Sequence, residues 1–296
     1  MTTEGMSIMT RQSALLMCAV ALGGCSGQSA LPPPASHEFL SGCVYTLYKN
    51  GYESGPSGIL VTKRNGTATS HMILTAGHVV RETVAQMKTS GKCHLGFQKA
   101  TDANAVRRIS APADFVTPFL HPAFPREDLG LLSVRNLEAG VTSNGGRIRA
   151  IGLDSPFERG VGVVRDDSDY EKFGIGIGTS VFAFCSDISR PLGNLGYDWP
   201  RTVIERNGTI RDLHAKISVK SESPKCSATT SQSVIMADFP SVNGNSGGPV
   251  FAYGNVNGVR YPILLGVISG RPEARPGWAA IAPIGPIVKE IEQAYK

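Results

Sequence analysis

The sequence holds no apolar run long enough to cross a bilayer as a helix. Its N-terminal candidate, Ala14 to Leu22, is about half of the ~20 residues required. There is no Cys-x-x-Cys, and Cys93-His94 alone is a poor zinc signal, so no metal site is expected. Charge is neither large nor gathered. A net +5 with both signs scattered leaves no basic stripe for a phosphate backbone, which argues against nucleic acid as a partner. Long helical patterns are also scarce. The 34 glycines, 19 prolines and many short β-branched runs point instead to an all-β chain rich in turns. At 296 residues the chain exceeds the ~100–150 typical of one core, so one large or two small packed units are expected.

The N-terminus carries Arg11, the short apolar run, then Leu22-Gly23-Gly24-Cys25. A basic start, a brief apolar segment and small residues before a cleavage point have the form of a secretory signal over residues 1–24. The tetrapeptide resembles the bacterial lipobox, which implies cleavage before Cys25 and acylation of its thiol. The alternative is a plain secretory peptide followed by a free cysteine. Several acyl chains on one cysteine would anchor the protein stably to a membrane. The expected location is therefore the bacterial cell envelope. If the organism is Gram-negative, Ser26 after the cysteine favours the outer membrane. Residues 25–37, with consecutive prolines at 32 to 34, are expected to be a tether, with folded structure starting near Glu38. Cys43, Cys93, Cys185 and Cys226 are an even set in an exported chain and so are disulfide candidates. The economical pairing for two sequential units is Cys43 with Cys93 and Cys185 with Cys226.

Gly244-Asn245-Ser246-Gly247-Gly248-Pro249 is the stretch that suggests a chemistry. A serine between glycines can sit on a sharp turn with its hydroxyl exposed, because glycine tolerates backbone angles that other residues avoid. Neighbouring N–H groups can then face a developing oxyanion. The motif also fits the nucleophile elbow of α/β-hydrolases, which requires a histidine after the serine. The six histidines, at 37, 71, 78, 94, 121 and 214, all precede Ser246, and that order excludes the elbow.

Gly58 to Thr62, the Lys63-Arg64-Asn65-Gly66 turn and Ser70 to Thr75 have the pattern of a hairpin, ending at Ala76-Gly77-His78. Val79 to Met87 then has helical spacing. Asp128 directly precedes the apolar run Leu129 to Leu132, which would draw its carboxylate inward toward a hydrogen-bond donor. Asp114 is the nearest rival acid. The cluster Asp166, Asp167, Asp169 and Glu171 is expected to be a solvated loop, since Lys172 stands where a calcium loop needs glycine. In the second half, Thr179 to Cys185, Val234 to Ala237, Ile263 to Gly270 and Trp278 to Ala282 are predicted strands. Val203-Ile204-Glu205 and Thr209-Ile210 around Asn207-Gly208 suggest a hairpin, and Ile284 to Lys296 a closing amphipathic helix.

Thr75-Ala76-Gly77-His78, Asp128-Leu129-Gly130-Leu131-Leu132 and Gly244 to Pro249, in that order, resemble the histidine, aspartate and serine motifs of the chymotrypsin-like (trypsin-like) serine peptidases. The resemblance implies two six-stranded antiparallel β-barrels with a C-terminal helix. Residues 38–140 would carry His78 and Asp128, 141–177 would connect, and 178–296 would carry Ser246. It further implies His78 as base, Asp128 as orienting acid, Ser246 as nucleophile and the N–H groups of Gly244 and Ser246 as an oxyanion hole. A protein or peptide substrate is implied, with no metal or cofactor. About fifty residues follow Ser246, enough to finish a barrel, so no appended PDZ domain is expected.

Two departures from the digestive enzymes matter. Asn245 stands where they carry the aspartate that pairs with a newly cut N-terminus, so activation by N-terminal insertion is not expected. Ile268 falls where a serine commonly bonds the aspartate, unless the strand is shifted to use Ser269. Pro240, Ile268, Ser269, Gly270 and Gly277 are the expected specificity pocket. Without an acid among them, apolar or small residues would precede the scissile bond. The alternative function is a catalytically weak, peptidase-like envelope lipoprotein that binds a partner.

Overall fold

The computed structural model describes residues 31–48, 56–99, 102–137, 148–186, 203–220, 229–242 and 244–294. The first of its two sheets contains β1 (Val44–Tyr48), β2 (Ser57–Asn65), β3 (Ala68–Ala76), β4 (Lys92–Lys99), β5 (Asp102–Pro112), β6 (Val116–Leu120) and β7 (Leu129–Val134). They run in the order β5-β4-β1-β2-β3-β7-β6 with antiparallel neighbours, and the two-residue β8 (Ile151–Gly152) adds to β2 in parallel. Among the described residues this sheet is an open path ending on β5 and β6. It is thus a half-barrel of eight strands, where six closed strands were expected.

The second sheet contains β9 (Gly162–Val163), β10 (Ser180–Ser186), β11 (Val203–Lys220), β12 (Thr229–Ala237), β13 (Pro249–Val256), β14 (Val259–Gly270) and β15 (Ala279–Pro283). Its order is β13-β10-β11-β12-β15-β14-β9, and β13 also pairs with β14, so every strand but β9 lies in a closed ring. Closure removes free edges from those strands. Asn207-Gly208 does not turn the chain. It lies inside the long β11, opposite Phe182 and Val181, and the hairpin partner of β11 is β12.

The central strands β2, β3 and β7 of the first sheet are buried on both faces over much of their length, which explains their continuous apolar runs. Ile59, Val61, Met72, Leu74 and Leu131 join a core shared with the second sheet. Leu60, Ile73 and Leu132, one residue out of step, fill a separate core with Val79 and Val80. The same two faces overturn one expected disulfide. Cys43 belongs to the shared core and Cys93 to the other; both are buried thiols, and the Cys43 thiol donates to the Phe39 carbonyl at 3.3 Å. Cys226 lies outside the described residues.

Four α-helices lie among the described residues, α1 (His37–Gly42), α2 (Gly77–Ser90), α3 (Asp167–Lys172) and α4 (Gly285–Ala294), beside two short 3-10 turns. None is long and apolar enough to cross a membrane. The acidic cluster is not a loop but α3, with Asp166 capping its first turn by accepting from the Ser168 N–H. Ile287, Val288 and Ile291 form the buried stripe of α4.

The expected tether is partly docked. The Ala35 N–H donates to the Gly160 carbonyl at 3.0 Å, and the Tyr261 hydroxyl donates to the Pro32 carbonyl at 2.8 Å. Ser36 then caps α1, whose His37 stacks on Phe182 and lies within hydrogen-bond distance of Glu205 and Tyr253. Packed structure therefore begins by Pro32, before Glu38. Cys25 and the rest of residues 1–30 lie outside the described residues.

Candidate active site

β3 delivers His78 to the start of α2. The turn is tight: a Cβ on Gly77 would strike the Phe124 ring and the Leu129 carbonyl, so the residue before His78 has no room for a side chain. Val79, Val80, Thr83 and Met87 bury one face of α2, and Gly91 ends it in the left-handed region, φ 67°. His78 is left half-buried at the N-terminal end.

Asp128 stands at the entrance to β7 with only 4% of its surface exposed. A carboxylate at that depth needs several donors. It has three. The His78 N–H donates to Oδ1 at 2.8 Å, His78 Nδ1 lies 2.8 Å from Oδ2, and the Ser269 hydroxyl donates to Oδ2 at 2.6 Å. An ionised carboxylate can only accept, so Nδ1 carries the proton and Nε2 of the neutral ring is left as an acceptor. Burial works against ionisation of both groups. The mutual hydrogen bond and charge outweigh it, raising the pKa of His78 above the ordinary imidazole value and lowering that of Asp128, where Ser269 and the His78 N–H also help.

Ser269 thus occupies the place that the sequence left between two residues. The pairing of β14 with β15 slips between Ile268 and Gly270, and this irregularity turns Ser269 toward Asp128. Ile268 is fully buried in the shared core, so it is no wall of an open pocket. Its backbone has another use: its carbonyl accepts from the Gly247 N–H at 2.7 Å, and its N–H donates to the Gly248 carbonyl at 2.8 Å. Of the other expected pocket residues, Pro240 and Gly277 are exposed and Ser269 and Gly270 half-buried. A Cβ on Gly270 or Gly277 would meet nothing within 4 Å, so the space beside them is open. The rival acid Asp114 is exposed, and its carbonyl accepts from Arg135.

Ser246 sits half-buried on a turn whose flanking glycines, Gly244 and Gly247, have φ of 90° and 81°. Gly247 is required twice over, by that angle and because a Cβ would overlap the Ser57 carbonyl and the Thr75 hydroxyl. Among the described residues, neither the Gly244 nor the Ser246 N–H has an acceptor, and no hydrogen bond joins the Ser246 hydroxyl to the His78 ring. Asn245 is wholly buried. Its Oδ1 accepts from the Val242 N–H at 3.0 Å, and its Nδ2 donates to the Ser186 carbonyl at 3.1 Å. The amide is therefore satisfied inside the fold. Ser57 and Ser186, which contact this turn, carry no sequence signal; single serines at strand ends are unremarkable until the sheets are assembled.

No protein-family model matches the sequence, and no curated protein matches it. Solved structures do. The protease domain of MamO from Magnetospirillum magneticum aligns with a TM-score of 0.51 at 15% identity, over 86% of this chain and 98% of that one. Deg5 aligns at 0.45 with 19% identity, over 84% and 87% of the two chains. The Rv3671c protease in its inactive form aligns at 0.45 with 14% identity, over 89% and 98%. Over most of its length the chain is structurally similar to trypsin-like serine proteases.

Proposed function

We propose that this chain is a serine endopeptidase that hydrolyses peptide bonds of protein substrates in the bacterial cell envelope. The observation that carries this reading is the hydrogen-bonded row Ser269–Asp128–His78, which fixes the tautomer a general base needs, in a fold whose serine turn has two N–H groups without an acceptor among the described residues. Ser246 Oγ attacks the substrate carbonyl carbon while its proton passes to His78 Nε2, and the carbonyl oxygen becomes an oxyanion facing the Gly244 and Ser246 N–H groups. Collapse breaks the C–N bond, with His78 returning the proton to the leaving amine. Water, deprotonated by His78, then attacks the acyl carbon, and the C–O bond breaks as His78 returns the proton to Ser246 Oγ. Asp128 stays ionised throughout, holding the imidazole and stabilising its charged form.

Asn245 supports an enzyme that needs no newly cut N-terminus, since its buried amide already has partners. The open space beside Gly270 and Gly277, with no acid in the expected pocket, supports apolar or small residues before the scissile bond. The envelope location rests on the Leu22 to Cys25 motif and on acylation of Cys25. The alternative of a catalytically weak binding module rests on Ile268 and on the unknown substrate, and the Ser269 bond to Asp128 weighs against the first of these grounds.

Profiling of a peptide library with wild type and Ser246→Ala tests the reading. Expected are cuts after small or apolar residues that vanish in the variant; cuts that persist in Ser246→Ala, or none in wild type, would refute it. Palmitate incorporation that is lost in Cys25→Ala would support the anchor.

A further inference from the structure

Behind the serine turn lies a set of buried polar side chains that the triad does not use. Thr46 on β1, Ser57 on β2 and Ser186 at the end of β10 are each at most 2% exposed. The Thr46 and Ser186 hydroxyls are 2.7 Å apart, and the Ser186 N–H donates to Ser57 Oγ at 2.9 Å. The Ser57 hydroxyl is 3.4 Å from both Ser186 Oγ and the Gly244 carbonyl. The backbone of Ser57 is engaged as well. Its N–H donates to the Ser246 carbonyl at 2.7 Å, and its carbonyl accepts from the Thr75 hydroxyl at 2.6 Å.

Ser57 therefore touches Gly244, Ser246 and Gly247 of the serine turn on one side, and on the other Thr75, three residues before His78 on the strand that delivers it. Ser186 extends the row to Asn245 through its carbonyl. These are neutral contacts between the two sheets, and they set the height of the turn relative to the histidine. Among the described residues the Gly244 and Ser246 N–H groups have no acceptor, so their direction is set by the contacts that hold the turn's carbonyls rather than by bonds of their own.

On the reading that this site is a hydrolase, we propose that Ser57 and Ser186, supported by Thr46 and Thr75, are positioning residues. They clamp the Gly244 to Gly247 turn so that its oxyanion donors are already aimed before substrate binds. Such preorganisation favours the oxyanion over the ground state, so its loss should lower kcat and leave KM nearly unchanged.

The test compares purified wild type, Ser57→Ala and Ser186→Ala, with Thr62→Val as a control. Thr62 is a buried hydroxyl on the same strand that bonds the Ile151 carbonyl, away from the turn. Measured per folded molecule are the rate of fluorophosphonate labelling, kcat and KM on a peptide, and affinity for a peptide aldehyde, which forms an oxyanion, against the matching alcohol, which does not. Ser57→Ala, which removes the hydroxyl against the Gly244 carbonyl, should lose ~10- to 100-fold in labelling rate, kcat and aldehyde affinity, with KM and alcohol affinity within about twofold and the control at wild-type values; Ser186→Ala, whose carbonyl still holds Asn245 and whose hydroxyl reaches the turn only through Ser57, should show the same split at ~3- to 10-fold. If Ser57→Ala does not fold, Ser186→Ala decides by the same measurements. Lower melting temperatures with wild-type rates per folded molecule would overturn the proposal and make the row merely structural. An unreactive wild type would instead overturn the hydrolase reading, and the proposal with it.

Discussion

The two halves of the site are built from different forces. His78 and Asp128 on the first sheet are locked to each other by charge-assisted bonds, with the acid buried and the base half-exposed. Ser246 on the second sheet carries no charge, and its turn is held by backbone bonds, a buried amide and neighbouring hydroxyls. The difference assigns pH sensitivity to one half and geometric tolerance to the other. Protonation can disable the acid–base pair, whereas the serine turn answers mainly to packing.

The largest effect is expected at the charged end of the site. Asp128→Asn keeps the shape but lets the His78 ring adopt the tautomer with its proton on Nε2, so kcat should fall ~10⁴-fold. A loss under tenfold in steady-state kinetics would mean that the charge is dispensable. Placing charge where there is none probes the other half. Asn245→Asp would bury a carboxylate against the Ser186 carbonyl without a cation, costing about 3 kcal/mol or more of stability at neutral pH. Its folded-state pKa would be raised, so the deficit should shrink as pH falls, a trend readable by denaturant unfolding across pH.

Smaller effects are expected from single contacts and from protonation. Ser269→Ala removes one of three donors to Asp128 and should lower kcat about tenfold, with little change in KM. A wild-type kcat would show that two donors suffice. The acidic limb of kcat/KM should have its midpoint above the ordinary imidazole pKa, because Asp128 raises that of His78 and only the neutral ring is a base. The stability contributions have opposite signs. That of His78 is present below its unfolded pKa and lost as pH rises through the folded one. That of Asp128 is present above its unfolded pKa and lost as pH falls through its depressed one. In Asp128→Asn the acidic limb of the residual activity should move down.

The sequence carried the parts of the site that depend on short, contiguous motifs. His78 after a strand, Asp128 before one and Ser246 between glycines are local patterns, and the structure places each at the expected kind of junction. Features set by register were not legible. Whether Ile268 or Ser269 faces the acid turns on a one-residue slip against β15, and such a slip exchanges the two faces of a strand. Cys43 and Cys93 are near in sequence terms yet separated by a sheet with core on both sides. Asn207-Gly208, a turn by composition, was overridden because β11 pairs on both flanks with β10 and β12. The docking of Pro32 to Ser36 depends on Gly160 and Tyr261, more than a hundred residues away, which no local pattern reports.

On the proposed mechanism Ser246 is a nucleophile activated by His78. The most direct test of that mechanism is intact-protein mass spectrometry after exposure to a fluorophosphonate, using wild type, Ser246→Ala and His78→Ala. Expected are one adduct on wild type, located at Ser246 by peptide mapping, none on Ser246→Ala, and labelling of His78→Ala slowed ~10³-fold or more. An unlabelled wild type, or an adduct that survives Ser246→Ala, would contradict it.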